Sequence, residues 1–445
     1  MRSSPLRCVI IGAGMAGISA AIACVRAGAT PVVVETKGFV GGRSRSFIDA
    51  ETGELVDNGQ HLLMGCYHRV LELVRTLGTD HTLHRQDGLE VRFRDTDGGD
   101  DSFGPSRLPS SLGALASLLR LHRISPLAKW RALLMMTRLR LGYSPSSDAT
   151  ALDVLRHFRQ PSDIIERFWE PFILATMNAS PSQTSGAVLV EVLRRSILAG
   201  GANSSLVIPR LGLSAMVEPF PAWLGDNGGE LRTNAHVTEL VMEEGRCVGV
   251  RTESGELIAA DAVILAIPPY ACQRLRRGDT HEPVVTLHES VLRTSGIVST
   301  YLWFDRDFMQ EPLCAGIGTI TQWVFNRRKL HDGGSHVTAR FPGHVTLTTS
   351  AADAVHGDDA AVIVERSLQE LHRLIPASRT AHLLHYRVIK ERRATMLLSP
   401  ESQRHRPGPH TTIPNVKLCG DWTQTLLPAT LEGAAESGVT AVAAL

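Results

Sequence analysis

Three glycines near the amino terminus have the spacing of a phosphate-binding turn. Gly12, Gly14 and Gly17 separate a short apolar run from a predicted helix, and Glu35 ends the next apolar run. In a strand–turn–helix unit, the first glycine permits a tight turn, the second admits a pyrophosphate, and the third lets the helix pack close to the strand. The acid that ends the second strand can accept hydrogen bonds from a ribose. The pattern therefore predicts a dinucleotide site, with the phosphates at the amino terminus of the helix.

Two adjacent glycines follow Glu35 and indicate which dinucleotide is bound. Gly41 and Gly42 can bring the backbone near the phosphates, and Arg43 supplies a cation to pair with them. A domain that binds NAD needs no such element after its second strand. The stretch resembles the glycine-glycine-arginine motif of the superfamily of FAD-containing amine oxidases and carotenoid desaturases, which implies FAD as the cofactor.

The carboxyl-terminal region carries a matching resemblance. A predicted strand ends at Gly420 and Asp421, and a predicted helix begins near Thr430 and Leu431. In the superfamily, such an aspartate contacts the ribityl or phosphate region of the flavin, and such a helix start points at the pyrimidine edge of the ring. A helix amino terminus stabilises the negative charge that a reduced flavin carries there. Val237 matches the position whose backbone meets the adenine.

Longer motifs narrow the resemblance to one family. Four further stretches are informative: DNGQHLLMG at 57–65, FWEPF at 168–172, IPRLGL at 208–213 and RATM at 393–396. Together with GDWT at 420–423 and LPATLEGA at 427–434, they resemble the squalene-associated FAD-dependent desaturases, also described as hydroxysqualene dehydroxylases. The resemblance runs nearly end to end. It implies FAD contacts at Gly12, Gly14, Gly17, Glu35, Gly42, Arg43, Gln60, Val237, Gly420, Asp421, Thr430 and Leu431.

The resemblance also implies a reaction. Members of the family reduce hydroxysqualene to squalene in the biosynthesis of squalene and hopanoids, so we expect a C30 isoprenoid substrate. A carotenoid or dehydrosqualene desaturase is the main alternative, because the same scaffold can move hydride in the opposite direction. An amine oxidase is disfavoured because no aromatic pair can be read near the carboxyl-terminal flavin motif. A non-catalytic prenyl-lipid carrier is disfavoured because the flavin-binding residues are all present.

Departure of a hydroxyl group as water requires a proton donor. His61 is one candidate, because it follows the glycine-rich loop and because Asp57 and Gln60 could orient it. Glu170 is the other candidate. It lies on a predicted helix, where Glu166 shares its face and burial can raise its pKa. The sequence does not choose between His61 and Glu170.

The expected fold is α/β, with a Rossmann-type FAD-binding domain joined to a mixed α+β substrate domain of the amine oxidase type. The FAD-binding domain is expected to be discontinuous and to comprise residues 1–87, 210–280 and 405–445. The substrate domain is then expected to comprise residues 88–209 and 281–404. The elements predicted in its second segment are strands near 297–304 and 345–349 and a helix near 360–374.

Composition excludes several classes of protein. A net charge of +1 argues against a general nucleic-acid binder. Seven scattered cysteines without a CxxC pair predict a reduced, cytoplasmic protein with neither a disulfide framework nor a metal site. The amino terminus resembles a signal peptide in charge and hydropathy, but Gly12, Gly14 and Gly17 are poor residues for the helical core of one.

Residues 102–147 predict contact with a membrane surface. They contain no aspartate or glutamate but seven lysines and arginines, of which Arg107 is the first. A break at Pro126 is expected to divide the region into two leucine-rich helices near residues 108–142. Basic amphipathic helices of this kind bind anionic head groups. We therefore expect a peripheral protein on the inner face of the cytoplasmic membrane, although an exposed basic face of the substrate domain is an alternative.

Overall fold

A sheet of five parallel strands, here called the nucleotide sheet, organises the glycine-rich turn. The computed structural model describes residues 5–104, 110–331 and 340–445. The order of strands across the sheet is Glu230–Arg232, Thr30–Val34, Arg7–Ile11, Ala262–Leu265 and Val416–Leu418. The inner strands are short apolar runs because both faces of a parallel sheet are covered. Segments that lie far apart in the chain therefore meet at one edge of this sheet.

Two helices pack closely against each other on the nucleotide sheet. The first helix is Met15–Arg26, and the C-terminal helix is Leu431–Ala443. A Cβ at Gly438 would lie 2.4 Å from the carbonyl oxygen of Ala16, so glycine permits this close approach. The hydroxyl of Ser19 donates a hydrogen bond to the carbonyl oxygen of Ala435 at 2.7 Å. The two ends of the chain are thus joined in one layer.

Smaller sheets surround the nucleotide sheet. A four-stranded sheet has the order Leu257–Ala259, Arg246–Thr252, Val237–Glu243 and Arg276–Arg277. A hairpin pairs Ser46–Ile48 with Leu55–Asp57. Shorter helices complete these segments: His68–Thr76, Phe220–Asp226, Pro269–Cys272 and Pro400–His405. The seven cysteines are all unpaired, and six of them are buried.

A seven-stranded sheet, here called the large sheet, forms the second half of the molecule. Its order is Leu383–Met396, Thr294–Phe304, Gly343–Thr349, Trp323–Asn326, Leu313–Ile317, Val91–Asp95 and Asp100–Phe103. The helix Ala360–Leu374 packs on it. The strands expected near 297–304 and 345–349 and the helix expected near 360–374 are present. The long edge strand Leu383–Met396 was missed, because its exposed face is rich in charged residues.

Helices form most of the segment between residues 110 and 198, and their buried side chains share one core with Phe93 and Phe103 at the edge of the large sheet. Their bounds are Ser110–Arg120, Pro126–Arg140, Ala151–His157, Ser162–Ile164, Glu170–Met177 and Gly186–Leu193. Residues 165–169 and 194–198 form π-helical turns that continue two of these helices. We call Pro126–Arg140 the outer helix and residues 162–177 the kinked helix. The outer helix begins at Pro126, where a break between two helices was predicted. Arg107 and residues 108–109, which belong to the predicted membrane-contact region, lie outside the described residues.

The expected boundary after residue 209 does not coincide with a break in the structure. The strand Leu206–Pro209 pairs on one side with Leu63–Met64 and on the other with Leu83–Arg85. Both partners belong to the segment expected to build the FAD-binding domain. Buried backbone groups need hydrogen-bond partners, and this strand finds them in that segment. The strand therefore belongs with residues 63–85 and not with the preceding helices.

Within the described residues, no helix is both long enough and apolar enough to cross a bilayer.

Candidate functional site

The glycine-rich turn has the close contacts that its spacing predicts. Gly12 has a φ of +106°, and a Cβ there would lie 2.6 Å from the carbonyl oxygen of Ala266. A Cβ at Gly17 would lie 1.9 Å from the carbonyl oxygen of Gly12, so only glycine lets the first helix sit this close to its strand. A Cβ at Gly14 would meet no atom within 4 Å. Gly12 and Gly17 therefore shape the turn, whereas Gly14 borders free space.

Glu35 lies directly beside this turn. Its carboxylate oxygens accept hydrogen bonds from the N–H groups of Ala13 and Lys37, both at 2.8 Å. The carbonyl oxygen of Glu35 accepts a bond from the N–H of Ala235 at 3.0 Å. Val237 is buried and begins the next strand. The bond between Glu35 and Ala235 therefore holds the start of the Val237 strand near Glu35. Glu35 and Val237 are the two residues expected at the adenosine end of the site.

The glycine pair and the carboxyl-terminal aspartate meet across the turn. A Cβ at Gly42 would lie 3.2 Å from the Cα of Gly14, so the two loops touch there. Arg43 donates from Nη2 to Oδ2 of Asp421 at 2.6 Å and from Nη1 to the carbonyl oxygen of Ala394 at 2.5 Å. Arg43 and Asp421 are far apart in the chain but form one ion pair. The structure thus brings together two residues that were expected to contact the same cofactor.

The start of the C-terminal helix follows this ion pair. Gly420 has a φ of +146°, and a Cβ there would lie 2.4 Å from Nε1 of Trp422. Thr430 caps the helix, with its side chain accepting a hydrogen bond from the N–H of Gly433 at 3.4 Å. Leu431 is the first helical residue and is half-buried. The helix amino terminus therefore follows the Gly-Asp turn after a short loop, in the order that the motif predicts.

The loop that carries His61 is held by a residue that sequence analysis missed. Arg327 donates from Nη1 to Oδ2 of Asp57 at 3.0 Å and to Oε1 of Gln60 at 2.5 Å, and from Nη2 to the carbonyl oxygen of Leu55 at 3.1 Å. The side chains of Arg327 and Asp57 are 3% and 2% exposed. Asp57 and Gln60, which were expected to orient His61, both bond to Arg327, which supplies the cation that a buried carboxylate requires. Gln60 also donates from Nε2 to the carbonyl oxygen of His61 at 3.4 Å.

His61 is instead oriented by the main chain. Its Nδ1 lies 2.7 Å from the carbonyl oxygen of Gly59. A carbonyl oxygen only accepts, so Nδ1 carries the proton and Nε2 of the neutral ring is an acceptor. Burial lowers the pKa of His61, and the Arg43 guanidinium lowers it further, although Gly59 and Asp57 act in the opposite direction. At neutral pH the imidazole is therefore neutral, and its Nε2 is a hydrogen-bond acceptor.

Glu170 has the opposite electrostatic character. It is half-buried and directly follows the π-helical turn at residues 165–169. Burial raises the pKa of Glu170, and the Glu166 carboxylate raises it further. At its carboxyl-terminal end, the kinked helix is anchored by Asn178, whose amide donates to the hydroxyl of Thr395 at 2.9 Å. Thr395 follows the residue whose carbonyl binds Arg43, so the helix that carries Glu170 ends beside the same ion pair.

Comparison with known proteins agrees with this geometry. A model of the family of flavin-containing amine oxidoreductases matches residues 15–445. A hydroxysqualene dehydroxylase from Rhodopseudomonas palustris is 30% identical over 443 residues, with 96% of each chain covered. The chain belongs to the flavin-containing amine oxidoreductases. A second hydroxysqualene dehydroxylase, from Sinorhizobium fredii, is 28% identical, with 96% of this chain and 95% of the relative covered.

The fold agrees with this assignment. An oxidoreductase from Methanosarcina mazei has a TM-score of 0.73 at 16% identity, covering 98% of this chain and 100% of that one. The expected α/β fold of the amine oxidase type is confirmed, and the protein is an FAD-dependent oxidoreductase.

The residues of this family member fit a flavin dinucleotide. None of the described side chains caps the first helix through a hydrogen bond, and its first turn holds no acid, so its amino terminus suits a diphosphate. The open side of Gly14 leaves room for that diphosphate. The hydroxyl of Ser44, which follows Arg43, is buried and has no hydrogen-bond partner among the described residues. These observations are what a site built around a bound phosphate group requires.

A second residue missed by sequence analysis braces the Gly-Asp turn of this flavoenzyme. Arg406 donates to the carbonyl oxygens of Asp421 at 2.9 Å and Leu427 at 2.8 Å. Burial lowers the pKa of Arg406 to about 10, while the Asp421 carboxylate opposes the change. The guanidinium thus fixes the main chain between the ion pair and the C-terminal helix. Its signal in the sequence is weak, because an isolated arginine before a Pro-Gly turn is common on protein surfaces.

Proposed function

We propose that this flavoenzyme reduces hydroxysqualene to squalene. The observation that carries the proposal is the 30% identity, over 96% of both chains, with a hydroxysqualene dehydroxylase. The substrate gains one hydride and one proton and loses water. The buried pairing of Asp57 with Arg327 supports the proposal, because it fixes the 57–61 loop that distinguishes the resembled family from other amine oxidoreductases.

The residues proposed to hold FAD line the edge of the nucleotide sheet. Gly12, Gly14 and Gly17 open the turn to the diphosphate, Glu35 accepts hydrogen bonds from the ribose, and the Arg43–Asp421 pair lies toward the flavin. The remaining proposed contacts are Gly42, Gln60, Val237, Gly420, Thr430 and Leu431. When bound in its reduced form, FAD supplies the hydride.

Glu170 and His61 are proposed to have different roles toward the hydroxyl group of the substrate. Burial and the Glu166 carboxylate raise the pKa of Glu170 and so favour its protonated form, which supports a role as proton donor. His61 has a lowered pKa and presents Nε2 as an acceptor, which suits a hydrogen bond from the substrate hydroxyl. In this scheme Glu170 protonates the departing oxygen while His61 orients it.

Incubation with both classes of substrate tests the reaction. The purified enzyme, reduced under anaerobic conditions, is incubated with hydroxysqualene, and the oxidised enzyme is incubated with dehydrosqualene and with phytoene. Mass spectrometry is expected to detect squalene from the first incubation, with reoxidation of the flavin absorbance. Desaturated products from the oxidised enzyme, together with no squalene from the reduced enzyme, would identify a desaturase and overturn the proposal.

We further propose that the FAD-binding domain comprises residues 1–87, 206–280 and 405–445. The substrate domain then comprises residues 88–205 and 281–404. The protein is proposed to act as a peripheral enzyme on the inner face of the cytoplasmic membrane, because a C30 isoprenoid resides in the bilayer.

A further inference from the structure

The outer helix, Pro126–Arg140, is apolar on two opposite sides. On the inner side Ala128, Ala132, Met135 and Leu139 are fully buried. The side that faces away from the protein also carries large apolar side chains. A helix with a single partner shows one apolar stripe and a polar opposite face. The second stripe is therefore unexplained by the packing of this chain.

The outward stripe consists of Leu127, Trp130, Leu134 and Leu141. Their exposed fractions are 52%, 60%, 42% and 77%. At about 100° per residue, the first three fall within an arc of roughly 60° on the helix surface. Leu141 directly follows the helix and continues the same arc. These side chains form one apolar strip that runs along the helix.

Basic residues border this strip on both sides. Arg131 and Arg138 lie along one edge, and Lys129 and Arg140 lie along the other, as helical geometry dictates. Lys129 and Arg131 donate to the main-chain carbonyls of Leu119 and Arg159. In the part of the chain that the structure describes, Lys129, Arg131 and Arg138 form no ion pair with a carboxylate. Their positive charge is therefore available to a partner.

The outer helix is attached to the helix that carries Glu170. Ser125, which caps the outer helix, donates from its N–H to Oδ2 of Asp163 in the first turn of the kinked helix, at 2.8 Å. Arg123, just before that cap, and Arg167 in the kinked helix both form ion pairs with the buried Asp95. A partner bound to the outward stripe would thus be linked through these contacts to the helix that carries Glu170.

We propose that the outward stripe of the outer helix docks on an anionic lipid bilayer. The apolar strip enters the acyl boundary, and the flanking cations meet the phosphate head groups. The proposal deepens the proposed function, on which it rests for the source of the apolar substrate. A second copy of this chain is a poorer occupant, because two stripes with the same basic edges would repel each other.

Vesicle binding by the FAD-loaded, full-length protein tests the docking surface. Vesicles of phosphatidylcholine containing about one-third phosphatidylglycerol are expected to bind the protein, and pure phosphatidylcholine much less. The double variant Trp130→Ser/Leu134→Ser and the single variant Arg138→Glu are each expected to weaken binding at least roughly tenfold. The matched control is Leu384→Ser/Tyr386→Ser, on the edge strand of the large sheet, where the exposed fractions are 47% and 40%.

The outcomes separate this proposal from the proposed reaction. Vesicle binding needs no substrate, so unchanged binding of Trp130→Ser/Leu134→Ser would overturn the docking proposal whatever the enzyme catalyses. The same variant is expected to convert hydroxysqualene in detergent micelles as the wild type does, and to lose turnover on substrate held in vesicles. The docking proposal would also be overturned if the wild type binds no vesicles and is a dimer in solution while the Trp130→Ser/Leu134→Ser variant is a monomer. That result would identify the stripe as a self-association surface. Flavin content and thermal midpoint verify that each variant is folded.

Discussion

Two glycines of the phosphate turn are predicted to respond to alanine in different ways. At Gly14 the backbone has φ −75° and ψ −179°, which alanine adopts without strain, and a Cβ meets no atom within 4 Å. At Gly17 the added carbon would lie 1.9 Å from the carbonyl oxygen of Gly12. That contact lies far inside van der Waals distance, so the first helix must move away from its strand.

The two variants therefore separate folding from flavin binding. Gly14→Ala is expected to leave the free energy of unfolding of the apoprotein unchanged or to raise it by about 0.4–1 kcal/mol, because alanine restricts the unfolded chain. It is expected to weaken FAD binding at least roughly tenfold, because the methyl group occupies the space of the diphosphate and removes a hydrogen bond to it. Gly17→Ala is expected to destabilise the apoprotein by about 1–3 kcal/mol, as overpacking does, and also to lose FAD.

Urea unfolding of the apoproteins and titration with FAD measure the two quantities. Apoprotein is used because bound FAD would itself add stability by mass action. Gly225→Ala is the matched control, since a Cβ there also meets no atom within 4 Å and the residue lies in the helix Phe220–Asp226. Wild-type FAD affinity in Gly14→Ala would refute the placement of the diphosphate. A Gly17→Ala apoprotein as stable as the control would refute the argument from close packing.

Other variants test the catalytic loop and its support. His61→Ala is expected to keep its FAD and to lose at least roughly tenfold in turnover per bound flavin, whereas Glu170→Gln is expected to lose roughly 10²–10⁴-fold; product assays at matched flavin content check both. Arg327→Met is expected to cost about 3–5 kcal/mol in urea unfolding because it leaves the Asp57 carboxylate buried and unpaired, and adding Asp57→Asn is expected to restore part of that loss. Burial lowers the pKa of His344 from 6.5 to about 4. Between pH 6.5 and pH 4 the unfolded chain therefore binds more protons at this residue than the folded chain does. About 3 kcal/mol of the free energy of unfolding is expected to be lost as the pH falls through that range. Urea unfolding at several pH values is expected to show that the free energy of unfolding falls less steeply with decreasing pH in His344→Gln than in the wild type.

Local sequence signals predicted the geometry of the glycine-rich turn well. Gly12, Gly14 and Gly17 carry their information within one short unit, because the turn, the open side and the close packing all arise from neighbouring residues. Arg43 and Asp421 were assigned to one cofactor by resemblance, and the structure adds that they pair with each other. Residues whose role depends on local backbone geometry are therefore readable from one sequence.

Long-range partners were not readable in this way. Arg327 contacts Asp57 only because the large sheet brings a short helix against the 55–57 strand, and nothing near Arg327 in the sequence indicates a buried role. The π-helical turn before Glu170 has no signal in the apolar periodicity either. Assignment of proton donors depends on such tertiary contacts, since these set the burial and charge around each group.

The nucleotide sheet has a consequence for how the chain is synthesised. Its strand Arg7–Ile11 pairs with Ala262–Leu265, which in turn pairs with Val416–Leu418, so each pairing joins segments that are synthesised far apart in time. The first helix, Met15–Arg26, has nine buried residues, several of which are covered only once the C-terminal helix has been synthesised. Parallel strands paired over such separations form slowly, and the uncovered apolar face is exposed to aggregation meanwhile. We therefore expect a nascent chain of this protein to need shielding, by a chaperone or by low concentration, until the strand Val416–Leu418 and the helix Leu431–Ala443 have been synthesised.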